Sequence, residues 1–246
     1  MRSKVRVGID EVILKLALAA FTAVLISLAW LQATSYGQTF IGKAVNGDGE
    51  LEYIEHHYLE YENGQISKSR TIYYDADNNK VGDLSSEYSQ GPQFGSYDFR
   101  DFRAEYQDGA RVTPELIQLF RKDGSEEHIE ETFLARDTDH IVGQGIHHFI
   151  ANNLEAISRG DVIQVKMALP SRLDEYEFRI IKKDQESDRL HVRLEIDNWL
   201  LRVFAPHIDC EYDMKTRRLL RYEGISNIID ASGKHDKVVI TYSYET

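Results

Sequence analysis

A mainly β fold of α+β class is what this sequence predicts: a strongly curved antiparallel sheet or unclosed barrel, with one inserted amphipathic helix and an N-terminal signal helix. Three observations predict it. Tyrosine-rich stretches alternate in polarity, turn signals recur about every 8–12 residues, and one internal segment carries a helical period.

The N-terminus is read first because it sets the compartment. Arg2, Lys4 and Arg6 precede an uncharged run from Leu16 to Leu31, and Gln32, Ala33, Thr34, Ser35 and Gly37 follow. That succession of basic, apolar and small residues is the order of a secretory signal, with cleavage expected after Ser35 or Gly37. Retained, residues 12–33 are long enough to anchor the chain in an inner membrane. No cysteine closes the apolar run, which argues against a lipoprotein. Residues 1–37 are therefore expected to be a signal peptide or membrane anchor, and 38–246 a single β-rich domain in the periplasm. Membrane contact is expected only through the N-terminal segment, if it stays uncleaved.

Charge and cysteine content narrow the function. The whole chain carries 29 Lys and Arg against 41 Asp and Glu. Leaving out residues 1–37 removes four basic and two acidic residues, so the domain holds 25 against 39, a net charge of −14. Nucleic acid and anionic lipid repel such a surface, so no nucleic-acid partner is expected. Cys210 is the single cysteine. It has no internal partner for a disulfide and is expected to be buried as a small hydrophobe.

Along the domain, "GELEYIEHHYLEY" (49–61) alternates, and Asn63-Gly64 supplies a hairpin turn before "ISKSRTIYYD". "DADNNKVGD" turns the chain again, "LSSEYS" reads as a strand, and "ELIQLFRKDGSEEHIEETFL" reads as two strands joined at Lys122-Asp123-Gly124. The period then changes. Ile146, Phe149, Ile150, Leu154 and Ile157 follow the spacing of one amphipathic helix over 143–161, which Gly160 ends. Strands resume at 161–169, 176–184 and 188–197. In the last of these Leu190, Val192, Leu194 and Ile196 oppose His191, Arg193, Glu195 and Asp197. A hairpin over 203–225 and a final strand over 237–245 complete the meander.

No residue pattern names a reaction. His56/His57 and His147/His148 are adjacent pairs, and neighbours in a strand or helix point apart, so neither pair holds one ion by itself. No metal and no cofactor are expected. G-x-S-x-G, H-E-x-x-H, P-loop and dinucleotide fingerprints are absent from the sequence, and Cys210 sits mid-strand rather than at a helix start. His207, Asp209 and Glu211 are expected on the wet face of the hairpin, paired with Arg217, Arg218 and Arg221 of the returning strand.

From Arg159 onward the chain resembles a β-rich family of exported bacterial proteins of uncharacterised role. The residues that carry the resemblance are "RGDVIQVKMALPSRLDEYEFRI", "RLEIDNWLLRVFAPHIDCEYDMKTRRLLRYEGISNIID" and "VVITYSY", with a return of the form Y-x-G-x-x-N-x-x-D-x-x-G from Tyr222 to Gly233. The same strand order is similar to the periplasmic lipoprotein-carrier and receptor (Lol) fold. That likeness implies an unclosed barrel whose concave side holds acyl chains under a helical lid. Here the chain supplies less helix than those carriers, and no positions match their hand-over loops.

The expected function is thus an exported, non-enzymatic cell-envelope protein that holds an apolar or lipidic ligand against the concave face. Phe178, Leu194, Trp199, Tyr212 and Tyr222 are the expected lining, with Phe149 and Ile150 above them. Two alternatives stand beside it. One is an envelope interaction or assembly protein, which a filled concave side and an exposed apolar patch would favour. The other is an envelope-polymer hydrolase, which needs a cleft with two carboxylates.

Overall fold

The computed structural model describes residues 39–124, 128–203, 205–229 and 236–244. The described residues all fall within one compact unit, Tyr36–Thr246. The expected signal or anchor lies outside the described residues. No helix among the described residues is long and apolar enough to cross a membrane.

The domain is one 15-stranded sheet. Its first run comprises β1 (Thr39–Val45), β2 (Leu51–Glu62), β3 (Gln65–Tyr74), β4 (Lys80–Glu87), β5 (Ser96–Asp101), β6 (Tyr106–Val112), β7 (Leu116–Lys122) and β8 (Glu130–Ala135). The second comprises β9 (His140–Val142), β10 (Ile163–Leu169), β11 (Asp174–Glu186), β12 (Arg189–Ile196), β13 (Ile208–Asp213), β14 (Leu219–Ile225) and β15 (Lys237–Tyr244). Successive strands pair antiparallel within each run, except that β9 lies parallel to β10. The runs join where β1 pairs antiparallel with β15, from Phe40 opposite Tyr244 to Val45 opposite Val239. The sheet therefore ends at β8 on one side and β9 on the other.

Local chemistry accounts for the turns. Asn63 and Gly64 both adopt positive φ, 52° and 77°, as the tight hairpin between β2 and β3 requires. Asp75 accepts backbone N–H bonds from Asp77 at 3.0 Å and Asn79 at 2.8 Å, closing the β3–β4 loop.

The helical segment departs from expectation. Instead of one helix it forms α1 (Gly145–Asn152) and α2 (Leu154–Ser158). Asn153 breaks the ladder: its side-chain amide donates to the Phe149 carbonyl at 2.8 Å, competing with the backbone. The hairpin also begins later than expected. Residues Trp199–Arg202 form a short helix, α3, and β13 starts only at Ile208. Asn198 is the reason, since its Oδ1 accepts from Leu200 N at 2.9 Å and Leu201 N at 3.2 Å as an N-cap.

Three apolar clusters fill the concave side. In one, Ile146, Ile150, Leu154 and Ile157 of α1 and α2 pack on Val165, Ile180, Leu190, Val192, Leu194, Cys210 and Tyr212. The second is aromatic, with Tyr53 and Tyr73 edge-on at 5.7 Å and Phe99 6.0 Å beyond Tyr73. The third joins Phe94, Ile117, Leu119 and Val142 across the two ends of the sheet. One end is stoppered by the segment after β14. Ile228 is buried there, Ile229 N–H donates to Asp101 at 2.7 Å, and Arg103 donates to the Ile229 carbonyl at 2.7 Å.

Because Ile150 is 1% exposed at the centre of the helix–sheet contact, Ile150→Ala should lower the unfolding free energy by about 2–5 kcal/mol. A urea titration would read this as an earlier midpoint at unchanged slope; an unshifted midpoint would show that α1 is not part of the cooperative core.

Candidate functional site

Six of the seven expected ligand-lining residues come together. Ile150, Leu194 and Tyr212 are buried in the helix–sheet cluster, and Phe149, Phe178 and Tyr222 pack against it partly buried. They meet one another and the helices. Tyr212 OH bonds His147 Nδ1 at 3.0 Å, and Tyr222 OH donates to the Ile225 carbonyl at 2.9 Å. Trp199 is elsewhere: it is 74% exposed on α3, because the Asn198 cap turns the chain out of the sheet just after β12.

A line of polar side chains crosses the concave side where α1 meets β2 and β3. His57 Nε2 bonds Glu55 at 2.8 Å, and His57 Nδ1 bonds Thr71 Oγ1 at 2.9 Å. Gln144, just before α1, donates to Thr71 at 3.2 Å and accepts from Ser69 at 3.2 Å, and Ser69 bonds Tyr88 OH at 3.2 Å. Phe40 stacks on the His57 ring at 4.2 Å. The set looks like a nucleophile–base–acid chain, yet Thr71 is 1%, Glu55 3% and His57 7% exposed, so no substrate reaches it. Its sequence signal is Glu55 and His57 sharing the inward face of β2 with Tyr53. Gln144, Ser69 and Thr71 gave no such signal.

Two other clusters lose their apparent chemistry. Asp137, Asp139 and His140 converge as metal ligands would, but the Lys166 ammonium lies 2.8 Å from Asp137 and 3.6 Å from Asp139. Both His140 nitrogens are engaged, Nδ1 accepting from Asp137 N at 2.8 Å and Nε2 bonding Glu175 at 2.6 Å. On the hairpin, Asp209 is held by Arg193 at 2.7 and 2.8 Å and by Lys183 at 2.9 Å. Partial burial works to raise its pKa, but these cations win and hold the carboxyl down to about 2. Glu211 pairs with Arg189 at 2.6 Å. The partners are thus supplied by β11 and β12, not by the arginines of the returning strand; Arg217 reaches Glu155 of α2, and Arg221 pairs with Glu223 on its own strand. Cys210 is buried as expected, and burial, with Asp209 nearby, pushes its thiol up to about 12.

What remains open to solvent is α3. Trp199, Leu200, Leu201 and Val203 are 74%, 55%, 47% and 72% exposed. The turn is mounted firmly, since Arg202 Nε donates to the Ile196 carbonyl at 2.9 Å and its Nη2 to that of Asp197. Two hollows lie elsewhere on the surface. A trough of about 620 Å³ has Tyr58, Arg70, Ser85, Asp98 and Arg111 among its lining. A smaller one of about 120 Å³, lined by Asp139, Lys166, Glu177 and Asp197, adjoins the base of α3.

No family model matches the chain, and no curated protein matches it. It is similar to the crystal structure of a β-barrel-like protein of domain of unknown function DUF1849 from Brucella abortus, at 7% identity over 86% of this chain and 98% of that one, with a TM-score of 0.41. It is also similar to a DUF1329 family protein from Desulfovibrio piger, at 12% identity over 89% and 88% of the two chains, with a TM-score of 0.22.

Two half-buried histidines on α1 make the domain acid-sensitive. Burial, with His148 and His57 nearby, lowers the His147 pKa to about 4, and burial alone lowers His148 to about 4. In the unfolded chain both titrate near 6.5. As the pH falls from about 6.5 to 4, the unfolded state takes up protons that the folded state refuses. Stability should therefore fall through that window, by up to about 3 kcal/mol per histidine. Urea denaturation at stepped pH checks it, with His148→Phe expected to flatten the slope; a wild-type profile flat across the window would refute it.

Proposed function

We propose that the protein is an exported, non-enzymatic binding protein of the cell envelope that engages an apolar, lipid-like surface through the α3 rim. The observation that carries this reading is a contrast. The concave side is occupied by the protein's own side chains, while four consecutive-turn apolar residues, Trp199, Leu200, Leu201 and Val203, face solvent. A soluble domain seldom leaves such a patch without a use. Tryptophan beside branched aliphatics is the composition that settles at a lipid–water boundary. The acyl-chain contact implied by the Lol-like resemblance is thereby moved from the concave face to the rim. The domain's net charge of −14, and Asp139, Glu177 and Asp197 beside the turn, favour a zwitterionic lipid surface over an anionic one.

Trp199 is the single tryptophan of residues 36–246, the other being Trp30. Vesicles of phosphatidylcholine should shift its fluorescence to the blue and, when brominated, quench it. Replacing both Leu200 and Leu201 with serine should weaken partitioning about tenfold, roughly 1.4 kcal/mol, and added anionic lipid should weaken it at low salt. Trp199 emission that stays unchanged with every vesicle would sink the reading and leave a protein partner as the occupant of the rim.

A further inference from the structure

The two ends of the sheet are treated differently. The outer side of β9 is tied down: Val142 bridges to Phe94, Val142 N–H donates to the Gln93 carbonyl at 3.0 Å, and all three β9 residues are buried. Strand β8 pairs with β7 on one side, and among the described residues no strand pairs with it on the other. The Arg136 N–H donates to the Glu115 carbonyl at 2.9 Å, in the same register as Leu116 opposite Ala135. Antiparallel bonding alternates, so residues 130, 132 and 134 bond to β7 while the peptide groups of Glu131, Phe133 and Ala135 point to the open side.

This edge lacks the usual protection of proline, lysine or a bulge. Its outer face is apolar instead, with Phe133 61%, Ile129 43% and the neighbouring Leu116 44% exposed. Its charge is negative. Glu131 and Glu115 are exposed with no cation partner among the described residues, whereas the nearby arginines are committed. Arg121 holds Glu130 and the Ser171 carbonyl, and Arg136 holds the Thr113 carbonyl while stacking on Phe94.

We propose that β8 is a strand-acceptor edge, which adds an extended segment of a partner protein whose outward side chains are basic opposite Glu131 and apolar opposite Phe133. Main-chain bonds to Glu131, Phe133 and Ala135 supply the affinity, and the two side-chain positions supply the selection. The edge shares no residue with α3, so its success or failure leaves the rim reading untouched.

Amide hydrogen exchange on the full chain tests it, using a synthetic peptide KKVVKKVVKK, each face of which alternates lysine with valine. The peptide should slow exchange at Glu131, Phe133 and Ala135 by about 100-fold at saturation, with little change at Thr132 and Leu134. The acidic counterpart EEVVEEVVEE should not. Phe133→Lys, at an exposed position, should keep the circular dichroism spectrum and lower the peptide's affinity about tenfold. Three results would overturn the proposal: exchange at the three amides already slow without peptide, no slowing at any peptide concentration, or slowing that follows protein concentration alone, which would make the occupant a second copy.

Discussion

The ladder between β1 and β15 is the interaction on which the rest depends. Without it the chain is two separate meanders, β1 to β8 and β9 to β15, each with a further bare edge. With it, the first and last described strands lie side by side and the concave face becomes continuous. The seam is tight. A Cβ on Gly42 would meet Glu55 Oε2 at 2.7 Å and Tyr242 Cε1 at 2.8 Å, so only glycine lets β1 pass beneath those side chains. Phe40 packs on Tyr244 at 4.7 Å and on His57 at 4.2 Å, covering the seam with rings. Because the paired residues come from opposite ends of the domain, this contact carries the largest loop-closure cost in the fold.

The buried polar line is the second constraint, and it is coupled to the first through Glu55 and His57. Within an apolar interior each of these groups is costly alone and inexpensive together. Gln144 extends the line from β3 to the start of α1, so the helix is seated at one position by hydrogen bonds to Thr71 and Ser69, where apolar packing alone would let it slide. Removing one member strands the others. That asymmetry makes the line a device for uniqueness more than for net stability.

Strand alternation made much of the fold legible in the sequence. The inward set Leu190, Val192 and Leu194, the Asn63-Gly64 turn, the inserted helical segment and buried Cys210 are all where the residue pattern places them. The joining of the two runs was not legible, because pairing of β1 with β15 leaves no local trace in either strand. Two errors came from asparagine. Asn153 splits the helix and Asn198 starts α3, in each case by offering the backbone a side-chain partner that hydrophobic periodicity ignores. The second carries Trp199 out of the sheet and onto the proposed rim. Six of the expected lining residues come together because each lies on the inward side of its strand or helix; residues that line a cavity and residues that fill one share that periodicity.

Magnitudes bear on that ambiguity. For an acyl chain to take the place of α1 and α2 on the sheet, Ile146, Ile150, Leu154 and Ile157, which are between 0% and 8% exposed, must give up their burial. Burial of each such side chain is worth about 1.5–3 kcal/mol, so the four together hold roughly 6–12 kcal/mol. That is comparable with the whole stability of an ordinary domain, about 5–15 kcal/mol. A ligand entering there must replace almost all of it before showing any net affinity. At α3 no such debt exists, because Trp199, Leu200, Leu201 and Val203 are already in water and their mounting through Asn198 and Arg202 is already made. An apolar surface that covers the rim gains the transfer energy of these side chains directly, which is the physical ground for proposing the rim rather than the bowl.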